Sequence, residues 1–321
     1  MKNVLITGAL GQLGSELALV LRNDNSINKV VLVDIRNDVN LKLINSGPFY
    51  ISDCRDKEKL SKIVKENDID TIFHLAAILS ARGENNPQFA WDININGLTT
   101  VLEIAKENRC SVFTPSSIGA FGDSTPKDNT PQVTIQRPCT IYGISKVAGE
   151  LLCDYYHCKY GVDTRGVRFP GLISYLTPPG GGTTDYAIEI FYEAIKNKRY
   201  VCPIKKDTYM DMLYMDDAIK AIIDLMRADE SKLKHRNAYN ITAMSFTPEQ
   251  IAKEIQKHIP SFKMEYNIDP IKQAIADSWP NKLDDKTARE DWNYNPKFNL
   301  EMMVSEMLNQ ISRRINHDQA S

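Results

Sequence analysis

Asn3-Val-Leu-Ile-Thr7 is a short apolar, β-rich run that ends at a glycine. It leads into Gln12–Leu21, whose apolar residues recur at helical spacing. A second apolar run, Lys29–Asp34, closes a βαβ unit, and further runs at Pro48–Ser52, Asp70–Leu75 and Ser111–Pro115 alternate with helical stretches. Such alternation predicts an α/β protein with a parallel sheet wound on both faces. Two long helical patterns, Gln88–Glu107 and Tyr142–Tyr160, flank the fifth strand, and another strand follows at Val162–Arg168.

Beyond Phe169 the regular order breaks. Residues 176–184 form a loop of turn formers ahead of a helix at Asp185–Lys196, with shorter elements after it. The tail carries a helix at Leu300–Arg313 and then polar residues expected to fray. The pattern predicts a sheet domain over residues 1–170 and a smaller C-terminal α/β substrate lobe over 171–321, some of whose strands and helices return to the first domain. No internal repeat or low-complexity tract interrupts it.

With 39 basic against 41 acidic residues the formal charge is -2, so no global field draws nucleic acid or an anionic membrane. No apolar run reaches the roughly 20 residues needed to span a bilayer. The six cysteines are scattered, with no CxxC pair and no histidine cluster at zinc spacing, which predicts free thiols and no metal. Cys153 and Cys158, five apart on one helix, read as packing rather than a redox pair. The first strand begins almost at Met1, leaving no room for a signal peptide, so a cytoplasmic location is expected. Small-molecule chemistry is the expectation.

Gly8-Ala-Leu-Gly11-Gln12-Leu13-Gly14 lies between the first strand and the first helix. Glycines there permit a tight turn and let backbone N–H groups and the helix dipole meet a pyrophosphate, so the sheet is expected to be of the Rossmann type. Asp34 ends the second strand about 20 residues on, where a carboxylate accepts from both ribose hydroxyls and repels a 2′-phosphate. NAD is the expected cofactor, although nearby Arg36 keeps NADP open. Asp53 reads equally as an adenine contact or as a helix N-cap before Asp56–Leu60. The neighbours Ile35, Cys54, Leu75, Ala76 and Ala77, with Asn94, Tyr142 and Lys146, complete the expected cofactor contacts.

Tyr142 and Lys146, four apart, share a helix face. A phenol near pKa 10 is a poor base, but an adjacent cation and a positive nicotinamide favour its phenolate within reach of an alcohol proton. Ser116 and Ser117, at the carboxyl edge of the fifth strand, compete to hold the substrate oxygen. His74 reads as a satisfied core histidine. Asn94 can bond either a lysine-linked water or a backbone group.

The set Gly8/Gly11/Gly14, Asp34, His74-Leu-Ala-Ala77, Ser116-Ser117, Tyr142/Lys146 and Arg168-Phe-Pro-Gly171 resembles the extended short-chain dehydrogenase/reductase family. Residues Leu176–Ile188, Asp277-Ser-Trp-Pro280 and Leu283-Asp-Asp285 look like its short-chain L-threonine 3-dehydrogenase branch. The resemblance implies NAD-dependent oxidation of L-threonine at its C3 hydroxyl to 2-amino-3-oxobutyrate, with Tyr142, Lys146 and Ser117 catalytic. The serine follows from matching Phe121-Gly122 to the family's tyrosine-glycine pair. It further implies contacts from Ser80, Gly182, Thr183 and Thr184 to the amino acid, closure of the loop at Gly180–Gly182, and a homodimer built on the two helices beside the fifth strand. Read without it, Gly180–Thr184 is a linker capping the next helix, and Trp279 is a buried core residue as readily as a pocket lid. No carboxylate anchor is evident: Arg82 and Arg168 are candidates, each read more readily as a surface or structural ion pair. The rival enzyme reading is a sugar-nucleotide epimerase or dehydratase.

Overall fold

The computed structural model of the chain describes residues 1–37, 40–176 and 182–320, with side chains through residue 316. At its centre is a parallel sheet of β1 (Asn3–Thr7), β2 (Lys29–Asp34), β3 (Phe49–Ile51), β4 (Thr71–His74), β5 (Ser111–Phe113) and, after the short β6 (Ser116–Ser117), β7 (Thr164–Arg165). The order β3-β2-β1-β4-β5-β7 reverses between β1 and β4, which opens a crevice at their carboxyl ends.

Around the sheet the first half supplies α1 (Gln12–Arg22), α2 (Leu41–Ile44), α3 (Lys57–Glu66), α4 (Ser80–Asn85), α5 (Pro87–Trp91), α6 (Gly97–Asn108) and α7 (Ile141–Tyr160). The second half runs β8 (Val167–Phe169), β9 (Gly171–Ile173), α8 (Tyr186–Lys196), β10 (Arg199–Cys202), β11 (Met210–Tyr214) and α9 (Met215–Arg227). It ends with β12 (Tyr239–Asn240), β13 (Met244–Phe246), α10 (Pro248–His258), β14 (Lys263–Tyr266), α11 (Pro270–Ser278), α12 (Lys286–Trp292) and α13 (Leu300–Ala320). β8 lies between β6 and β12, and β11 between β9 and β13.

β1 is apolar at successive positions because both its faces are covered. Val4 and Ile6 pack with Leu17 and Leu21 of α1 and with Ile219 and Ile222 of α9, which returns from the second half of the chain. Leu5 turns to the opposite face, against Ile63 of α3 and Leu98 and Val101 of α6. Burying each such side chain contributes about 1.5–3 kcal/mol. A third core joins Ile173, Tyr186, Phe191, Tyr214, Phe246 and Met303.

Three elements depart from the sequence expectation. The helix expected over Gln88–Glu107 is broken into α5, a π-helical turn at Asp92–Asn96, and α6. The turn lets the Asn94 amide bond the backbone of Ile78 at both N and O, a competition that periodicity does not register. The strand expected over Val162–Arg168 splits at Gly166, where a Cβ would lie 2.4 Å from the Thr114 carbonyl oxygen, and the chain passes from one sheet to the next. Instead of fraying after Arg313, the last helix continues to Ala320. The expected loop over 176–184 falls mostly outside the described residues, since 177–181 are not among them.

Candidate active site

Gly8 takes a left-handed backbone, φ 64°, and a Cβ there would sit 2.6 Å from the Ala76 nitrogen. A Cβ on Gly14 would lie 2.5 Å from the Gly8 carbonyl oxygen, so both glycines are required by close packing of turn, helix and β4. α1 begins at Gln12 with no side-chain cap on its N-terminus, and the residues of its first turn line a cleft. That cleft, open to solvent, spans about 1140 Å³ at the carboxyl end of the sheet.

The cleft gathers Gly8, Gly11, Gln12, Leu13, Gly14, Leu75 and Ala77 at one end and Ser80, Ser117, Tyr142, Lys146, Gly182, Thr183, Thr184 and Trp279 at the other. Two of its polar atoms, Gln12 Nε2 and Thr183 Oγ1, are buried without a hydrogen-bond partner. A glycine-lined turn, an uncapped helix start and an unpaired buried amide fit the phosphates and polar edge of a dinucleotide. The residues therefore suit NAD.

Other expected contacts lie outside this lining. Asp34 is 5% exposed at the end of β2. Its carboxylate accepts from the backbone N–H of Leu10 at 2.9 Å and of Arg36 at 3.0 Å, and the Arg36 guanidinium adds a bond at 3.1 Å. Asp53 is not the helix cap, because Asp56 caps α3 by accepting from the Lys59 N–H at 3.0 Å. Asp53 instead pairs with Arg55 at 2.6 Å, which holds its carboxyl below the usual range. Ile35 is exposed beside Asp34; Cys54 is buried against Gly97, its thiol pushed up to about 12 by burial. Ala76 and Asn94 line a smaller chamber behind Lys146. Asn94 bonds Ile78 and the Ser145 hydroxyl, the backbone alternative of the two expected for it.

α7 starts cleanly because the Thr140 hydroxyl caps it, accepting from the Gly143 N–H at 3.1 Å. Tyr142 and Lys146 then follow in its first two turns. Lys146 donates to the Pro115 carbonyl oxygen at 2.7 Å. Burial lowers its pKa to about 8, against which the Glu150 carboxylate works. Burial raises the Tyr142 phenol, and a hydrogen bond with Ser117 opposes the rise. The lysine nitrogen stands 5.4 Å from the centre of the Tyr142 ring. Burial is the leading influence on the phenol, and Lys146 follows it one turn along the same face of the helix.

The competing serines point different ways. Both line the cleft, but Ser116 is 6% exposed and donates to Glu150, while Ser117 accepts from the Gly119 N–H at 3.1 Å and meets Tyr142. His74 is buried, bonded through Nδ1 to the Thr7 hydroxyl at 2.8 Å, and burial pushes its pKa down to about 3, so it is a neutral core histidine. Arg168 pairs with Glu150 at 2.9 Å, both 8% exposed by side chain, and Arg82 is exposed on α4. Neither reaches the cleft, whose lining contains Lys146 as its one cationic side chain among the described residues. Trp279 is 8% exposed in the third core, as the core reading has it, and also lines the cleft wall.

Sequence reasoning missed Glu150, whose signal was its place one turn beyond Lys146 on the same helix face. It also missed Leu79, Ile118 and Leu172 as wall residues, apolar positions with no motif to mark them, whereas Phe169–Gly171, part of the family resemblance, carried no site role and lie in the wall. Among the described residues no cluster of potential metal ligands exists, and no helix is long and apolar enough to cross a membrane.

Residues 4–242 match the NAD dependent epimerase/dehydratase family. An uncharacterized epimerase/dehydratase of Staphylococcus haemolyticus is 55% identical over 98% of this chain and 99% of its own length. The structure of L-threonine dehydrogenase from Clostridium difficile superposes with a TM-score of 0.96 at 57% identity, covering 98% of each chain. The holo form of a GalE-like L-threonine dehydrogenase from Cupriavidus necator superposes with a TM-score of 0.93 at 45% identity, covering 96% of this chain and 99% of that one. The chain belongs to the NAD dependent epimerase/dehydratase family, with NAD as its cofactor.

Proposed function

We propose that this protein oxidises the C3 hydroxyl of L-threonine to 2-amino-3-oxobutyrate. The observation that carries the reading is the sharing of one cleft by a Ser117–Tyr142 hydroxyl pair, the small hydroxyls Ser80, Thr183 and Thr184, and the glycine turn. Similarity to L-threonine dehydrogenases at up to 57% identity supports the substrate. The pocket end is small and hydroxyl-lined, suited to a zwitterionic amino acid, and its unpartnered Thr183 hydroxyl is available to the substrate carboxylate.

Ser117 holds the C3 oxygen and Tyr142 takes its proton as the C3–H bond gives up hydride. NAD, when bound, accepts that hydride and contributes a positive ring that favours the phenolate. Lys146, kept beside the phenol by the Pro115 carbonyl, supplies the second cation. Asp34 serves the ribose hydroxyls, and Ile35, Asp53 and Cys54 border the adenine. Trp279 closes the far wall against water.

A homodimer fits the surface. Ile144, Leu151 and Tyr155 expose an apolar stripe on α7, with Phe89 and Trp91 on α5 nearby in the fold. Six free thiols fit a reducing, cytoplasmic compartment.

The test is net NADH formation across 3-hydroxy amino acids and UDP-sugars. L-Threonine is expected to give stoichiometric NADH. Turnover of a UDP-sugar without net NADH, and none with L-threonine, would replace this reading by an epimerase.

A further inference from the structure

We propose that Glu150 is a positioning residue for the Tyr142–Lys146 pair, supporting the charge of Lys146 with its carboxylate and fixing, through Ser116, the strand end that presents Ser117. The inference rests on the acid–base role assigned to that pair above.

Tyr142, Lys146 and Glu150 recur every four residues along α7 and so form one stripe. Both carboxylate oxygens of Glu150 are engaged. Oε1 accepts from Arg168 Nε at 3.0 Å and from the Ser116 hydroxyl; Oε2 accepts from Arg168 Nη2 and Gln136 Nε2, each at 2.9 Å. Ser116 stands between Pro115, whose carbonyl receives Lys146, and Ser117, which meets Tyr142. One buried carboxylate thus fixes the backbone on both sides of the reacting groups.

A structural ion pair would need no more than Arg168 and its acceptors. Glu150 also faces Lys146 across a small enclosed chamber that both line together with His74, Asn94, Ser145 and Asn237. Of the titratable groups around the lysine, His74 is held neutral by burial, and the Cys153 thiol is held protonated the same way. Tyr142 is the partner itself, and Arg168 lies on the far side of Glu150, bonded also to the Gln132 carbonyl and Asn240. Glu150 is the leading influence that opposes the loss of the lysine proton. A neutral residue of the same shape would hold Ser116 and leave the ammonium unsupported.

The experiment measures NADH formation with L-threonine by the full chain from about pH 6 to 10, where the pair titrates. Glu150→Gln/Arg168→Met removes both charges, a replacement that buried pairs tolerate. With the carboxylate gone the pair releases its first proton more easily, and the ammonium–phenolate form becomes rarer. The acid limb of kcat/KM is expected to move down by about one pH unit and kcat to fall about tenfold. Ser116→Ala is expected to lower kcat with the limb unmoved. Glu150→Asp keeps the charge but retracts it, and is expected to keep the limb and lose rate. An unmoved limb in the double variant, or wild-type kcat in Glu150→Asp, overturns the role. Full activity in Tyr142→Phe would instead remove the acid–base reading itself, whereas an inactive Tyr142→Phe beside an unmoved limb removes only the part played by Glu150.

Discussion

Lys146 donates to the Pro115 carbonyl oxygen at 2.7 Å, so the cation of the site is tied to the strand end that carries Ser117. This bond orients the ammonium while burial weakens its hold on the proton. Lys146→Met removes both the charge and the tie, and kcat is expected to fall about 10²–10³-fold. Tyr142→Phe removes the proposed proton acceptor and should cost about 10³–10⁴-fold with NAD binding little changed. Steady-state rates together with NAD titration by fluorescence check both; a tyrosine variant that keeps its turnover defeats the base assignment.

Ser117→Ala should reduce kcat/KM about 10²-fold, since a hydroxyl that holds the reacting oxygen acts in the transition state. Its backbone partner, the Gly119 N–H, loses an acceptor, but at a partly open site that loss is small. The melting temperature is therefore expected to change little. A variant that melts early with unchanged kcat/KM would make Ser117 a turn-former only.

The order of strands and the glycine turn were legible because apolar runs and glycine spacing are local properties. Gly8, Gly11 and Gly14 mark a tight turn by their spacing alone, and the packing of Gly8 against Ala76 accounts for the first of them. The break of the 88–107 helix was not legible, because it depends on Asn94 meeting Ile78, sixteen residues back. Ser116 and Ser117 are ranked only through the family resemblance, because the partner that distinguishes Ser116, Glu150, lies thirty-four residues downstream. Arg168 reads more readily as a structural ion pair than as an anchor, and it is one, but its partner Glu150 is invisible in the sequence around it. Position in a motif names candidates; long-range partners assign them.

Asp34 is the point at which cofactor choice can be altered. Its charge sits at the end of β2, bonded to Leu10 and Arg36. Asp34→Asn keeps the shape and the Leu10 bond but removes the repulsion toward a 2′-phosphate and releases Arg36. The KM for NAD is expected to rise about tenfold and use of NADP to appear, a change of about 1.4 kcal/mol in preference. Unchanged discrimination in parallel NAD and NADP assays would move the determinant elsewhere.

The stripe of Ile144, Leu151 and Tyr155 makes the assembly testable. Leu151, 63% exposed, is the most exposed side chain of that apolar stripe. Light scattering is expected to give twice the chain mass for the wild type. Leu151→Glu should shift it toward the monomer, because a carboxylate in an apolar contact is costly to desolvate. A wild-type monomer at micromolar concentration contradicts the dimer.

Glu16 gives the fold a pH dependence of defined sign. It is 5% exposed on α1, accepts from the Ser174 hydroxyl, and burial raises its pKa from 4.5 to about 7, with Asp216 adding to the rise and Ser174 and Arg314 opposing it. In that interval the folded chain keeps a proton that the unfolded chain has released. Its contribution is therefore fully present below the unfolded value and is lost as pH climbs through about 7. Buried Asp211, also raised to about 7, acts in the same direction. Glu16→Gln stays neutral throughout and can still accept from Ser174. The variant should match the wild type near pH 4.5 and exceed it at pH 8 by about 1–3 kcal/mol, read as a higher melting temperature. A difference in melting temperature that is constant across this range would mean that Glu16 is ionised in the folded protein, and that Ser174 and Arg314 outweigh its burial.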